Sequence, residues 1–276
     1  MIIKYAELFL LAGALFLLSG CVDLTLHSAW REHEILIDGK DADWQQILVK
    51  EKNVAFGAFN DDENLYLCFS ITDKMTKAQL MGLFKQDFYI WLSTESGRSR
   101  TFGLKFTNDS AFMKEALLSK TRYLQVQAFQ VIADEMMSHL KIQVVRNYYP
   151  VASLAEAQGI DSSIGVAKNG RELVYELKVP LQKSARHPYA VGSAEGKPVY
   201  VGLETSPLNL IMMRKQLGLD EFNEMDNAAV RERMGGRAGM ERSMTADRRT
   251  NFETEIALEN FRPVQVWCRV ILAKRS

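Results

Sequence analysis

Val54-Ala55-Phe56-Gly57-Ala58-Phe59, Asn60-Asp61-Asp62-Glu63-Asn64, Leu65-Tyr66-Leu67-Cys68-Phe69-Ser70-Ile71: two apolar runs around a polar five-residue stretch read as a β-hairpin. Leu65, Leu67, Phe69 and Ile71 share one face by the period of two, and that face is predicted to be core. On either side the pattern repeats. Glu34–Ile37 reads as a strand entering the Asp38-Gly39 turn, and Phe88–Leu92 and Thr101–Phe106 as strands joined through Ser96-Gly97-Arg98. Asp73–Phe84 reads as a short helix or turn. Further strands are read at Lys141–Val145, Ile164–Ala167, Leu173–Val179, Val199–Glu204 and Val264–Leu272. In the last of these Val264, Val266, Cys268, Val270 and Leu272 face one way, and Gln265, Trp267 and Arg269 the other.

Two stretches break the strand pattern. Ala111–Leu140 lacks Gly and Pro, and Leu124, Ala128, Val131, Ile132 and Met136 fall at helical spacing, so a helical insertion is expected over about 109–140. Met212–Thr250 is charged, holds six of the twelve methionines and contains Gly235-Gly236-Arg237-Ala238-Gly239; it reads as a long loop or surface excursion over about 208–252.

Basic and acidic side chains balance at 34 each, which leaves no electrostatic footprint for nucleic acid. Cys68 and Cys268 each sit inside a strand-like apolar pattern and read as buried thiols, with a disulfide in an oxidising compartment as the alternative.

The amino terminus carries Lys4, an apolar run from Leu8 to Leu18, and Leu18-Ser19-Gly20-Cys21. That run is too short to span a bilayer as a helix, which needs roughly 20 apolar residues. The tetrapeptide resembles the lipobox of bacterial lipoproteins at all four positions, although Glu7 is an acidic departure near the charged start. The resemblance implies a signal peptide over residues 1–20, lipidation of Cys21, a tether over 21–33 and a domain over 34–276 held in the cell envelope. Val22 in place of Asp points, by the enterobacterial sorting pattern, to the outer rather than the inner membrane. A free structural cysteine at 21 is the alternative.

Ile37-Asp38-Gly39, Asp43-Trp44, Val54-Ala55-Phe56, Asn60-Asp61-Asp62, Leu65-Tyr66-Leu67 and Tyr175-Glu176-Leu177-Lys178-Val179-Pro180-Leu181 occur in that order. The series resembles the family-9 carbohydrate-binding module and its DOMON-like relatives. The resemblance implies an all-β fold, an antiparallel β-sandwich of two sheets, and a glycan or other polar ligand; the strand count agrees with that fold. The two insertions depart from the compact module, and its sugar-clamping tryptophans do not map onto this chain by motif.

Sugar stacks its apolar faces on flat rings, so the tryptophans are the first candidates. Trp44 reads as a core plug, and Tyr89 and Trp91 alternate with Phe88, Ile90 and Leu92 and are the candidate stacking pair. Core packing is the alternative for that pair. Asn60, Asp61, Asp62 and Glu63 could supply oxygens to calcium, with a polar hairpin tip as the alternative. His27, His33, His139 and His187 are isolated, which argues against zinc, and Met212 or Met213 would be the axial candidates if haem were bound. The chain lacks a Gly-x-Ser-x-Gly elbow, a phosphate-cradling glycine loop and a paired-histidine motif. The expectation is a membrane-anchored, non-catalytic binding domain without a cofactor. An envelope assembly protein docking a protein partner and a lipid-anchored hydrolase are the alternatives.

Overall fold

The computed structural model describes residues 24–44, 49–51, 53–82, 86–95, 98–108, 139–193, 197–208 and 262–275. Two sheets face each other. One holds seven strands in the order β1 (Leu24–His27), β13 (Gln265–Ile271), β12 (Val199–Thr205), β6 (Phe88–Ser93), β7 (Phe102–Asn108), β8 (Leu140–Arg146) and β9 (Tyr149–Ser153). The other runs β10 (Asp161–Val166), β11 (Leu173–Pro180), β5 (Asn64–Ile71), β4 (Val54–Asn60) and β2 (Ala29–Trp30), with β3 (Val49–Glu51) also on β4. The all-β sandwich is therefore as expected. One short helix, α1 (Lys74–Leu80), follows β5, its start capped by Asp73, whose carboxylate accepts the Thr76 N–H at 2.8 Å.

The predicted faces hold where a strand has neighbours on both sides. Leu65, Leu67, Phe69 and Ile71 meet Phe88, Ile90 and Leu92 between the sheets, joined by Val266, Cys268 and Val270. Phe88, Phe106 and Tyr175 form an aromatic cluster there, with centroids 5.1 to 5.6 Å apart. Cys68 lies on the opposite, outer face of β5, so the two thiols occupy different layers, are both buried and are not joined in a disulfide. Burial pushes the Cys68 thiol well up.

Three readings need correction. The stretch 21–33 is not wholly a tether, because residues 24–30 form β1 and β2, which pair in parallel with β13 and β4. The sandwich is thus antiparallel except at this margin. Ser28 is where the chain changes sheet: its hydroxyl donates to Asn60 Oδ1 (2.5 Å), and the Ala273 N–H donates to Ser28 Oγ (2.9 Å) and Asn60 Oδ1 (2.8 Å). Glu34–Ile37 is not a strand. Ile35 and Ile37 satisfy their alternating apolar pattern by packing on the outer cluster of Trp44, Tyr66, Cys68 and Val174, which needs no ladder. The expected helical insertion lies outside the described residues except at its end, where Leu140 already belongs to β8; the Met-rich excursion lies outside them from residue 209.

The carbohydrate-module-like motif meets at one carboxylate. Glu176, fully buried on the outer face of β11, accepts the Trp44 indole N–H at 2.6 Å and the backbone N–H groups of Asp38 and Gly39 at 2.8 and 2.5 Å. Asp-Gly, Trp and the late Glu are thus one structural device that binds the entering chain to the smaller sheet. Trp44 is a plug, packed 5.4 Å from Phe59.

Candidate ligand-binding face

The outer face of the seven-stranded sheet carries a second aromatic layer. Trp267, Gly202, Trp91, Gly103 and Val145 stand opposite one another on five adjacent strands. Large and absent side chains alternate for a reason: a Cβ at Gly202 would sit 2.6 Å from Trp267 ring carbons, and one at Gly103 would sit 2.8 Å from Trp91 Cε3. Each indole occupies the space over a neighbouring strand that only glycine leaves open.

The adjacent row holds Gln265, Glu204, Tyr89, Lys105 and Gln143. Glu204 gathers the donors around it. Its carboxylate accepts the indole N–H groups of Trp91 (3.1 Å) and Trp267 (3.2 Å), the Gln265 amide (2.9 Å), and Arg100 through Nε and Nη2, both at 2.6 Å. Two-pronged pairing fixes the guanidinium plane, and Arg100 lies 5.9 Å from the Trp267 ring centroid. Asp87 does similar work for Lys105 (2.8 Å) and accepts the hydroxyls of Thr107 and Tyr89 at 3.2 and 3.3 Å. Burial, then the Asp87 charge, pushes the Tyr89 phenol upward.

Tyr89 and Trp91 share this outer face and stack in parallel, with centroids 5.1 Å apart and planes 5° from parallel. They are not an open platform. Their exposures are 7% and 0%, because the β8–β9 hairpin folds over them and the Tyr148 ring meets both edge-on, at 5.4 and 4.9 Å. The ring at the surface is Tyr148, 49% exposed. Its backbone has φ of +70° and that of Asn147 +49°, the left-handed pair that tight hairpins use. Asn tolerates this; a bulky aromatic there carries strain on the order of 1 kcal/mol or more, held by the surrounding structure. Tyr149 and Val151 beside it are also exposed.

Two of the four calcium candidates, Asn60 and Asp61, are already engaged within the protein. Asp61 Oδ1 accepts the N–H groups of Glu63 and Asn64 (2.9 and 2.7 Å), Oδ2 takes the Tyr66 hydroxyl (3.0 Å) and Arg31 (2.8 Å), and Asn60 Oδ1 serves Ser28 and Ala273. Among the described residues no group of three or more His, Cys, Asp or Glu is placed to hold a metal. Met212, Met213 and Cys21 lie outside the described residues.

Arg100, Glu204 and Tyr148 were not singled out from sequence, and Trp267 entered only as one of four tryptophans. Glycines 103 and 202 inside strands were the available signal, since an interior strand glycine marks a close approach. An open groove of about 950 Å³ lies elsewhere, between residues 31–37, the start of β8 and the start of β10. Arg31 and Lys178 at its margin are already paired with Asp61 and Asp161. Its aromatic ring, Tyr66, is almost wholly buried and lies 5.2 Å from Arg31.

No family model and no curated protein matches the chain. Among solved structures it is similar to a family-9 carbohydrate-binding module from Caldicellulosiruptor kristjanssonii in complex with glucose, at 12% identity and TM-score 0.32 over 66% of this chain and 78% of that one. The same module in complex with cellotriose gives 12% and 0.32, over 66% and 75%. A protein from Bacteroides uniformis ATCC 8492, to which carbohydrate binding is ascribed, gives 11% and 0.35, over 66% and 83%.

Glu204 also predicts an acid response. Burial pushes its carboxyl up, but hydrogen bonds from Arg100 and Gln265, the Arg100 charge and the Trp267 N–H outweigh it and leave the group below its ordinary value. A carboxyl depressed in the folded state contributes stability that is complete above its unfolded pKa, about 4.3, and is lost as pH falls through the folded value. Glu176 is shifted the other way, by burial first, so its protonation favours the folded state. Melting temperature of the Glu204→Gln variant should therefore fall less on acidification below about pH 4.3 than that of the parent. Parallel acid limbs in parent and variant would contradict the assignment.

Proposed function

We propose that this chain is a lipid-anchored envelope protein whose β-sandwich is a non-catalytic binding domain for a glycan or similarly polar ligand, taken up on the outer face of the seven-stranded sheet. The observation that carries the reading is Tyr148, a half-exposed ring held in a left-handed backbone conformation beside the Arg100–Glu204 pair. A rigid ring next to a planar, oriented polar group is what a sugar requires: one stacks on its C–H face while the other binds its hydroxyls. Trp91, Tyr89 and Trp267 are the foundation that holds these groups.

Glycoside hydrolysis needs two carboxylates that can give and take a proton across a cleft. Glu204 and Asp87 are each held by a cation and by neutral donors, which favours binding over turnover.

A glycan array probed with the soluble domain tests the reading. For the glycan it selects, Tyr148→Ala should weaken affinity roughly tenfold or more, as loss of one stacking contact of about 1.4 kcal/mol implies, with melting temperature little changed. Unaltered affinity in that variant, or an array without a hit, would sink the proposal.

A further inference from the structure

We infer that the β1–β2 margin of the sandwich is its membrane-docking surface, with β9 at the opposite margin, away from the bilayer. The inference rests on the reading of Cys21 as the lipid anchor. Cys21 stands three residues before Leu24, and a chain covers at most about 3.6 Å per residue, so lipid on Cys21 keeps the start of β1 within about 11 Å of the headgroups. β1 is one margin of the seven-stranded sheet and β9 is the other, six strand positions away. At about 4.8 Å per strand the β9 ladder stands on the order of 29 Å from the anchored side, while the Tyr148 ring, packed over Tyr89 and Trp91 of β6 three positions from β1, stands about 14 Å from it.

Charge argues that the margin lies against the lipid instead of swinging on its leash. Arg269 projects from the outer face of β13 opposite Thr25, is exposed, and has no ionic partner among the described residues. Lys274 and Arg275 follow β13, and their place is set by Ala273, whose N–H is held by Ser28 and Asn60 at the crossing between the sheets. Arg275 reaches Asp62 only at 3.8 Å between two exposed side chains, a contact that competes weakly with an anionic surface. Three cations thus flank the strand nearest the anchor. Basic residues beside a lipid anchor are the second signal that stable attachment to an anionic leaflet uses.

The test uses the mature lipidated chain in vesicles containing phosphatidylglycerol. One environment-sensitive dye is attached at His27→Cys or at Tyr149→Cys, both exposed positions, while Cys68 and Cys268 stay buried. With a headgroup-spin-labelled lipid as quencher, the dye at 27 should be quenched several-fold more than the dye at 149. Replacing Arg269, Lys274 and Arg275 together by Ala, or omitting the anionic lipid, should shrink that difference. Equal quenching at the two sites, or a difference unchanged in the triple variant, overturns the docking surface while leaving the anchor intact. Mass spectrometry of the amino-terminal peptide separates the other failure: a Cys21 without lipid removes the anchor itself.

Discussion

Trp91→Ala should lower the unfolding free energy by about 3 to 5 kcal/mol, the usual cost of emptying a buried tryptophan site, and lower the melting temperature by on the order of 10 °C. The indole is fully buried and rests over Gly103, stacks on Tyr89, carries Tyr148 on its edge and donates its N–H to Glu204. Removing it opens a cavity and leaves one acceptor site on Glu204 unfilled. Any change in ligand affinity should then follow from collapse of the Tyr148 hairpin onto the void. Thermal melting and urea titration measure the loss directly. A variant that melts like the parent but no longer binds its glycan would show that the ring meets ligand, and would return Trp91 to the role of an open platform.

Glu176→Leu should cost at least about 2 kcal/mol, because it leaves two buried N–H groups and one half-buried one without an acceptor, at about 1 to 3 kcal/mol for each buried group. Those groups belong to Trp44, Asp38 and Gly39, and through them Glu176 holds the entering chain against β11. The loss should appear in urea titration, with a red shift of tryptophan emission as Trp44 loosens. Glu176→Gln keeps one acceptor oxygen and should fall between parent and Leu variant. Equal stability of parent and Leu variant would mean that the motif residues do not act together.

Much of the scaffold was legible because burial and pleat impose the same period. Leu65, Leu67, Phe69 and Ile71, and Val264, Val266, Cys268, Val270 and Leu272, lie on the inner face where the period of two places them, although Tyr66, Cys68 and Ser70 between the first set are buried as well. At Phe88–Leu92 the alternation grouped Tyr89 with Trp91 on one face but left open which face was inner, because every position is buried once Tyr148 covers the outer pair. Legibility failed at Leu24–Trp30, where two short strands gain their ladder from partners at β13 and β4, the first of them more than two hundred residues away. Isolated, that stretch has no pattern long enough to read.

By itself, the sequence determined the strand-dominated composition, the core faces of the long strands and the Asp-Gly turn. These are local properties of period, turn chemistry and order along the chain. Only the tertiary structure decided that Glu176 gathers Trp44 with the Asp38-Gly39 turn, that Glu204 gathers Trp91, Trp267 and Arg100, and that Tyr148 covers the candidate stacking pair Tyr89 and Trp91. The reason is physical. A buried carboxylate must be satisfied by whatever donors the fold brings within about 3 Å, and the exposure of a ring depends on which distant hairpin closes over it.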